Sequence, residues 1–306
     1  MTPGTVSIQE LTRRFGPLTA VDGLSVEVAH GELLGIVGPD GAGKTTTLRM
    51  LAGVLRPSGG TAIIDGVDVV ADPEGVKPHI AYMAQKFGLY TDLTVKENLH
   101  FYADLYSVPK SERPARLERL YAFSRLGEFA DRLAGNLSGG MKQKLSLSCC
   151  LVHRPSVLLL DEPTFGVDPI SRRELWLILH EMVEEGVTVL VSTSYLDEAE
   201  RCDRVVLLDE GRTIAIDRPQ SLQSTMPGTM LAVRSSEPRR VRDALRSMDF
   251  VHSAALFGDE VHALVVPGES PDRLVGLLAA SAIDVSGVET IEPSLEDVFI
   301  HLVADA

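Results

Sequence analysis

The sequence predicts an α/β protein with a helical insertion, followed by a smaller α+β unit. Three observations predict this fold: short apolar segments typical of buried parallel strands, helical periodicity between them, and a change of pattern near residue 217. Of the 306 residues, 44% are hydrophobic and 24% are charged, which is the composition of a folded globular protein. At roughly 150 residues per domain, this length allows two domains.

The first part of the chain alternates between predicted strands and helices. Thr45–Leu55 is a predicted helix that follows a loop. Two strand segments, Val157–Leu160 and Val187–Ser192, are short and almost wholly apolar, as expected for strands that are covered on both faces of a parallel sheet. The predicted strands are Thr5–Leu11, Leu24–Val28, Glu32–Val37, Val157–Leu160 and Val187–Ser192.

Residues 86–155 have a different pattern, with helical periodicity and few strand candidates. We therefore expect a helical subdomain there, built from helices at Val95–Tyr106, Glu112–Leu126 and Lys142–Val152. A further helix is predicted at Ser171–Glu185, with Ser171 and Glu174 as a capping box. Trp176 lies near the apolar face of this helix and is assigned to the core.

A polar segment with two prolines, Asp217–Gly228, is predicted to be a linker. It separates a domain over residues 1–220 from a second unit over residues 228–306. The order of elements in that unit is β-α-β-β-α-β, which predicts a ferredoxin-like fold. Its predicted elements are Met230–Arg234, Arg239–Met248, Ala254–Phe257, Val261–Val266, Asp272–Ala280 and Asp284–Ile291.

Charge and cysteine content exclude some classes of function. The 29 basic and 43 acidic residues give a net charge of −14, so we expect no nucleic-acid partner, because non-specific binding depends on Lys and Arg. The three cysteines, Cys149, Cys150 and Cys202, have neither a disulfide framework nor metal-ligand spacing. The longest apolar segments are shorter than a membrane span, so we expect any membrane role to come through a partner.

The segment from Gly38 to Thr45 has the pattern G-x-x-x-x-G-K-T, after a predicted strand and before a predicted helix. Glycines allow backbone N–H groups to approach phosphate oxygens, and the helix presents its positive end to the same anion. Lys44 is expected to reach the β- and γ-phosphates, and the Thr45 hydroxyl is expected to bind Mg²⁺. The predicted nucleotide-binding residues of this segment are Gly38, Gly41, Gly43, Lys44, Thr45 and Thr46.

The apolar strand at Val157–Leu160 is followed by two carboxylates, Asp161 and Glu162. In enzymes with a phosphate loop, an aspartate at such a position holds Mg²⁺ directly or through water. Glu162 is then placed to accept a proton from the attacking water or to orient it. One carboxylate is therefore assigned to the metal and the other to the water.

Residues 137–143, LSGGMKQ, resemble the signature motif of ATP-binding cassette (ABC) ATPases and lie between the phosphate loop and the acidic strand. Gln85 resembles the Q-loop glutamine, residues 166–169 (GVDP) resemble the D-loop, and Phe15 resembles the aromatic residue that stacks on adenine. The resemblance covers about Ser7–Asp217 and implies a mixed-sheet cassette with a helical subdomain. It implies a catalytic and metal-binding role for Gln85. It also implies nucleotide contacts for Phe15, Ser138, Gly139, Gly140 and Asp168.

Two further segments, residues 293–299 (PSLEDVF) and 197–203 (DEAERCD), are similar to those of ATPase subunits of type 2 ABC exporters. That group includes exporters of drugs and polysaccharides, and its ATPase chains work with separate membrane-spanning permease subunits. The resemblance implies a head-to-tail dimer of ATPase chains around two ATP molecules, at the cytoplasmic face of the cell membrane. It implies coupling to the permease through the segment Phe87–Tyr102.

Ser194 departs from the family pattern, which has a histidine at this position after the strand. An imidazole can donate a hydrogen bond near the γ-phosphate, whereas a serine hydroxyl is shorter and uncharged. Three interpretations are open: a pairing with a second ATPase chain that keeps its histidine, slow hydrolysis as a homodimer, or replacement by a water or a neighbouring residue. We favour the first as a hypothesis.

Three functions compete. The first is the ATPase subunit that powers a membrane exporter, and the second is an ATP-binding scaffold that holds and regulates a competent ATPase chain. Glu162 favours the first, and Ser194 favours the second. The third is an ABC protein of DNA repair or translation, which is disfavoured by the net charge and by the absence of tandem cassettes or long coiled-coil insertions.

Overall fold

Fourteen strands and ten α-helices build the chain in the computed structural model, which describes residues 4–86 and 88–305. By their internal contacts these elements divide into two compact units, Met1–Ile216 and Asp217–Ala306. The strands of the first unit are β1 (Val6–Phe15), β2 (Leu18–Val28), β3 (Leu33–Val37), β4 (Gly59–Ile64), β5 (Val67–Asp68), β6 (Ile80–Met83), β7 (Val157–Asp161), β8 (Thr188–Thr193), β9 (Arg204–Asp209) and β10 (Arg212–Asp217). Its helices are α1 (Lys44–Leu51), α2 (Val95–Leu105), α3 (Arg113–Ser124), α4 (Gly139–Leu151), α5 (Pro169–Glu184) and α6 (Leu196–Ala199).

Two sheets form the core of the first unit. A four-stranded sheet has the order β2-β1-β4-β5 and antiparallel pairing. A six-stranded sheet has the order β10-β9-β3-β8-β7-β6, and β9, β3, β8, β7 and β6 pair in parallel. Every residue of β3, β7 and β8 is buried, because these strands are central and covered on both faces. The predicted α/β body with mixed sheets is confirmed.

The parallel strands bring the functional loops to one edge of the sheet. The carboxyl ends of β3, β7 and β8 are adjacent, with Val37 opposite Thr193 and Asp161 opposite Ser192. Ligands of open α/β sheets bind at this edge, outside the carboxyl ends of the strands. The loops that follow β3, β7 and β8 carry three of the sequence motifs, so the register of the sheet assembles the site.

The helical insertion consists of α2, α3 and α4, joined by two short 3₁₀ helices at Gly127–Phe129 and Ala134–Asn136. Thr94 and Glu97 form a capping box that begins α2, and Ser138 accepts a hydrogen bond from the Met141 N–H to begin α4. The three predicted helices of this region are confirmed.

The predicted start of α5 was wrong. The helix begins at Pro169, and Asp168 is its N-cap, with Oδ1 accepting from the N–H groups of Ile170 (3.1 Å) and Ser171 (3.0 Å). A proline fits the first helical position because its missing N–H would have no partner there, so the N-cap lies three residues before the predicted one. Hydrogen bonds led by that from Ser171 lower the pKa of Asp168. Trp176 is buried, as predicted.

The second unit has a four-stranded antiparallel sheet in the order β12-β13-β11-β14. The first strand of the unit thus lies between the third and the fourth, as the ferredoxin-like prediction requires. Its strands are β11 (Thr229–Arg234), β12 (Val251–Phe257), β13 (Glu260–Val265) and β14 (Gly287–Ile291). Its helices are α7 (Pro219–Ser224), α8 (Pro238–Arg246), α9 (Pro271–Ala280) and α10 (Leu295–Asp305).

The prediction of a linker at Asp217–Gly228 was wrong over half of its length, because the helix α7 occupies six of these twelve residues and contacts α10. Pro219 at the first turn and the buried Leu222 explain this helix within a polar segment. At the start of α10, Asp297 accepts hydrogen bonds from the Ser294 N–H (2.8 Å) and from His262 Nδ1 (2.8 Å). Burial raises the pKa of Asp297, but the bonds from His262 and Ser294 outweigh it, so the pKa is lowered.

Candidate nucleotide-binding site

The loop between β3 and α1 requires glycine at two positions. A Cβ at Gly38 would lie 2.1 Å from the Leu208 carbonyl oxygen, and a Cβ at Gly43 would lie 2.4 Å from the Ala20 carbonyl oxygen. Gly43 also has φ = 103°, in the left-handed region that favours glycine. The backbone therefore turns sharply within a closely packed cradle and delivers Lys44 and Thr45 to the first turn of α1.

Lys44 is buried and has its polar partners within this chain. Its Nζ donates to the carbonyl oxygens of Gly38 (2.7 Å) and Pro39 (3.0 Å) and lies 3.3 Å from Glu162 Oε1. A buried ammonium needs such compensation, because its transfer from water is costly. The lysine of the phosphate loop and the carboxylate assigned to the water are thus an ion pair.

Asp161 is completely buried and accepts three hydrogen bonds from side-chain hydroxyls. Its Oδ1 accepts from Thr45 Oγ1 (2.8 Å) and Ser192 Oγ (2.9 Å), and its Oδ2 accepts from Tyr82 OH (3.2 Å). Burial raises the pKa of Tyr82 above its ordinary value, so its hydroxyl remains a donor at neutral pH. The structure therefore brings together the carboxylate and the threonine that the sequence assigned to Mg²⁺.

Glu162 is held in a less common backbone conformation, with φ = 47°. Its N–H donates to the Ser192 carbonyl oxygen (3.2 Å) and to Ser192 Oγ (3.0 Å), and its Oε2 accepts from Gln85 Nε2 (2.8 Å). Gln85 is thus in contact with the carboxylate that the sequence assigned to the attacking water.

Ser192 and Tyr82 are functional candidates that the sequence reasoning missed. Ser192 lies opposite Asp161 on the neighbouring strand, and Tyr82 lies opposite Leu159. The parallel register of β7 and β8 would have revealed Ser192, because residues at equal height on adjacent strands are neighbours. Tyr82 is paired two residues before Asp161, on the same face of the sheet, and only its long side chain brings its hydroxyl to that carboxylate.

A cavity of about 350 Å³ lies in front of this network. It is lined by Asp40, Gly41, Gly43, Lys44, Thr45, Thr46, Gln85 and Glu162. A second cavity of about 380 Å³ is lined in part by Ser156 and Val187, which precede β7 and β8, and by none of the predicted site residues. We take the first cavity as the site, because only this cavity is bordered by the buried polar network.

The remaining predicted residues lie outside the lining of that cavity. Ser138 and Gly139 are exposed, and a Cβ at Gly140 would lie 2.3 Å from the Ser171 Cβ, so the signature segment packs against the first turn of α5. Phe15 is 45% exposed, with the Arg13 guanidinium 4.4 Å from its ring centroid. Asp168, beside this segment, caps α5, and Ser194 follows β8 in a half-buried position.

The residues present fit a magnesium nucleotide. Thr45, Asp161 and Gln85 offer the hydroxyl, carboxylate and carbonyl oxygens that Mg²⁺ prefers. The glycine cradle leaves backbone N–H groups and the N-terminus of α1 available to phosphate oxygens. The cavity thus combines an anion cradle with ligands for a hard cation.

Comparisons with known proteins agree with this geometry. The model of the family described as "ABC transporter" matches residues 21–165. The chain is 36% identical over 306 residues to the daunorubicin/doxorubicin resistance ATP-binding protein DrrA of Streptomyces peucetius, with 98% of this chain and 91% of that protein covered. The chain belongs to the ABC transporter family. The predicted resemblance is therefore confirmed.

Two further matches, one to a curated protein and one to a solved structure, support the same family assignment. The chain is 43% identical over 310 residues to the probable multidrug ABC transporter ATP-binding protein YbhF of Escherichia coli, and it spans about half (53%) of that protein. A solved structure described as an ATP-binding subunit of an ABC transporter has a TM-score of 0.65 and 29% identity, over 72% of this chain and 92% of that one. Within the described residues, no helix is both long and apolar enough to cross a membrane.

Proposed function

We propose that the chain is the ATP-hydrolysing subunit of a membrane ABC exporter. The observation that carries this proposal is the buried network at the phosphate-loop cavity, in which Lys44, Asp161 and Glu162 are held within hydrogen-bond or ion-pair distance of their partners. A scaffold that only bound nucleotide would need no carboxylate to accept a proton from the attacking water. The names of the relatives, which refer to drug resistance and multidrug transport, support the export role.

Different residues of the cavity and its surroundings have separate roles in ATP binding and hydrolysis. Phosphate oxygens of ATP compete with Glu162 for Lys44, and this releases the carboxylate to accept a proton from the attacking water. Gln85 orients that carboxylate through its amide. Thr45, Asp161 and Gln85 would hold Mg²⁺, which supplies charge neutralisation on the phosphates. Phe15 is exposed at the end of β1 and supplies a ring for adenine.

The proposal includes a dimer of ATPase chains. Ser138 and Gly139 are exposed and lie outside the cavity lining, so a second chain is the source that brings signature donors to a γ-phosphate. Two head-to-tail chains would complete two such sites, each with a phosphate loop from one chain and a signature segment from the other.

We also propose that membrane-spanning permease subunits hold the chain at the cytoplasmic face of the cell membrane. The helical insertion presents exposed aromatic side chains, including Tyr90 and Phe101, whose ring centroids lie 4.8 Å apart. Exposed apolar clusters of this kind mark protein interaction sites. Phe87, the first residue of the predicted coupling segment, lies outside the described residues.

A second candidate function is an ATP-binding scaffold with weakened hydrolysis, paired with a competent ATPase chain. Ser194 is the observation that favours it, because this half-buried serine replaces the family's histidine and is not among the residues that line the cavity. In that case the chain would bind ATP and dimerise but turn over slowly.

ATP turnover of the purified chain with Mg²⁺, beside Glu162→Gln and Ser194→His, tests the proposal. Turnover that Glu162→Gln abolishes supports the ATPase. Binding of ATP without any turnover would refute it and favour the scaffold. Binding is measured separately with a fluorescent ATP analogue.

A further inference from the structure

A second buried carboxylate, Glu198, lies on the short helix α6 and is only 1% exposed. Its Oε2 accepts hydrogen bonds from Thr164 Oγ1 (2.7 Å) and Thr193 Oγ1 (3.0 Å). Its Oε1 lies 3.3 Å from Arg172 Nε. Glu198 has no place in the chemistry described above and does not line the cavity, so these contacts need another explanation.

Each partner of Glu198 lies close in sequence to a predicted site residue. Thr164 is two residues after Glu162, and Thr193 immediately precedes Ser194. Arg172 is one helical turn after Asp168, and its N–H donates to the Asp168 carbonyl oxygen at 2.9 Å. One carboxylate thus contacts three segments: the loop after the catalytic strand, the segment at Ser194 and the first turn of α5.

Tyr195 reinforces this arrangement. The Arg172 guanidinium lies 4.5 Å from the Tyr195 ring centroid, within the range of a cation–π interaction. The Tyr195 N–H donates to Thr193 Oγ1 at 3.0 Å. The contacts of Glu198, Arg172 and Tyr195 therefore connect α5 to the segment after β8.

One of these contacts falls short of good hydrogen-bond geometry. Arg172 Nε and Glu198 Oε1 are buried, and the described residues offer neither atom a hydrogen bond of good geometry. Their 3.3 Å separation is that of an ion pair that has room to tighten. Loss of any one of these partners would leave the buried charge of Glu198 incompletely compensated, which is costly. Movement of one partner is therefore expected to move the others with it.

We propose that Glu198 is a positioning residue that makes α5 and the loop after Glu162 respond to nucleotide as one body. A rearrangement around Glu162 would move Thr164, whose hydroxyl donates to Glu198. The Glu198 carboxylate would in turn move Arg172, which lies in the first turn of α5 beside Asp168. This inference rests on the proposed function, because it concerns how the same nucleotide site communicates with the signature face.

The chain contains its own reporter for this movement. Trp176 is the single tryptophan of the sequence, lies on α5 one turn after Arg172, and is 1% exposed. Because tryptophan emission depends on the surroundings of the ring, we expect the emission of Trp176 to report changes in packing around α5. Mg²⁺ with a non-hydrolysable ATP analogue therefore tests the coupling without any hydrolysis.

Glu198→Gln is the test variant, because glutamine keeps the size and an acceptor for the threonines but removes the charge that faces Arg172. Asp197→Asn is the matched control, with the same change of charge at an exposed position of the same helix. We expect the analogue to change the Trp176 emission in the wild type and in Asp197→Asn. Glu198→Gln should lose at least half of that amplitude, with its affinity for the analogue changed less than about twofold.

Turnover gives the second readout. We expect Glu198→Gln to lower kcat about tenfold and to change KM less than about twofold, whereas a loss of folded protein would lower the active fraction and the thermal midpoint together. If Glu198→Gln does not fold, Arg172→Gln removes the other charge of the same pair and carries the same expectations.

The outcomes separate the two proposals. Full emission amplitude in the folded variant, or no emission change in the wild type, would overturn the role of Glu198. A wild type without turnover whose emission change is nevertheless lost in Glu198→Gln would refute the proposed hydrolysis and support the positioning role.

Discussion

The phosphate-loop site and the signature segment both present hydrogen-bonding groups suited to a nucleotide, but they differ in what satisfies those groups. Lys44 and Asp161 are buried, and each has several partners within this chain. Ser138 and Gly139 are exposed, and the Ser138 hydroxyl accepts only a capping bond of 3.3 Å from the Met141 N–H among the described hydrogen bonds. The first region is complete within the chain, whereas the second leaves donors facing outward.

This difference has an energetic consequence. Removal of one member of a buried hydrogen-bonded charge network leaves the others unpaired, at a cost of about 1–3 kcal/mol for each unsatisfied group. Substitutions at an exposed position away from such features change the free energy of unfolding by about 0.5 kcal/mol or less. Substitutions near Asp161 should therefore affect both folding and chemistry, whereas substitutions at Ser138 can affect chemistry alone.

The largest effect is expected for Glu162→Gln. Glutamine keeps the shape and an acceptor for Gln85 but cannot take a proton, so we expect turnover to fall by about a hundredfold or more. The measurement is steady-state ATP hydrolysis, with nucleotide affinity measured in parallel and expected to be retained. Glu184→Gln, at an exposed position near the end of α5, is the matched control and should leave turnover unchanged.

Ser138→Asp tests the exposed region and should have the next largest effect. Aspartate caps helices as well as serine does, so the thermal midpoint should not change, but its charge would oppose a γ-phosphate presented by a second chain. We expect turnover to fall at least tenfold. Ser270→Asp, the same substitution at the N-cap of α9, is the control.

A mixture of the two variants sharpens this comparison. In a head-to-tail dimer of one Glu162→Gln chain and one Ser138→Asp chain, one site carries both substitutions and the other carries neither. We therefore expect the mixture to recover a measurable fraction of wild-type turnover that neither variant shows alone. Absence of recovery, in a mixture shown to form dimers, would contradict the assignment of the signature segment to a partner's site.

Ser194→His is expected to have a moderate effect in the opposite direction. The imidazole can reach further than the serine hydroxyl and donate a hydrogen bond near the γ-phosphate, so we expect turnover to rise several-fold. Ser194→Ala serves as the control and should match the wild type if the serine contributes nothing. Unchanged turnover in Ser194→His would show that another group already fills this role.

The sequence predicted the parts of the molecule that depend on local pattern. The phosphate loop, the acidic strand end and the ferredoxin-like order of the second unit follow from short motifs and alternation.

The sequence did not reveal Ser192, Tyr82 and Glu198, because their roles depend on which strands and loops are neighbours in the folded protein. The start of α5 was misplaced because two serviceable caps, Asp168 and Ser171, lie three residues apart, and the proline after Asp168 decides between them.

Tyr82→Phe is the smallest expected effect and the most specific test of the buried network. The substitution removes the hydroxyl that donates to Asp161 at 3.2 Å, while Asp161 keeps its bonds from Thr45 and Ser192. We expect turnover to fall about threefold and the free energy of unfolding to fall by about 1 kcal/mol. Chemical denaturation and steady-state hydrolysis measure the two quantities on the same samples.

Tyr121→Phe is the control, because the Tyr121 hydroxyl is buried in α3 with no hydrogen-bond partner among the described residues. Its removal relieves an unsatisfied group, so stability should be unchanged or raised and turnover should not change. If both variants behaved alike, the hydroxyl at Tyr82 would be a packing group, and Thr45 and Ser192 would be sufficient to hold Asp161. A selective loss in Tyr82→Phe would show that the self-contained region needs its full set of donors, whereas in the proposed dimer the exposed region donates to a nucleotide bound by a second chain.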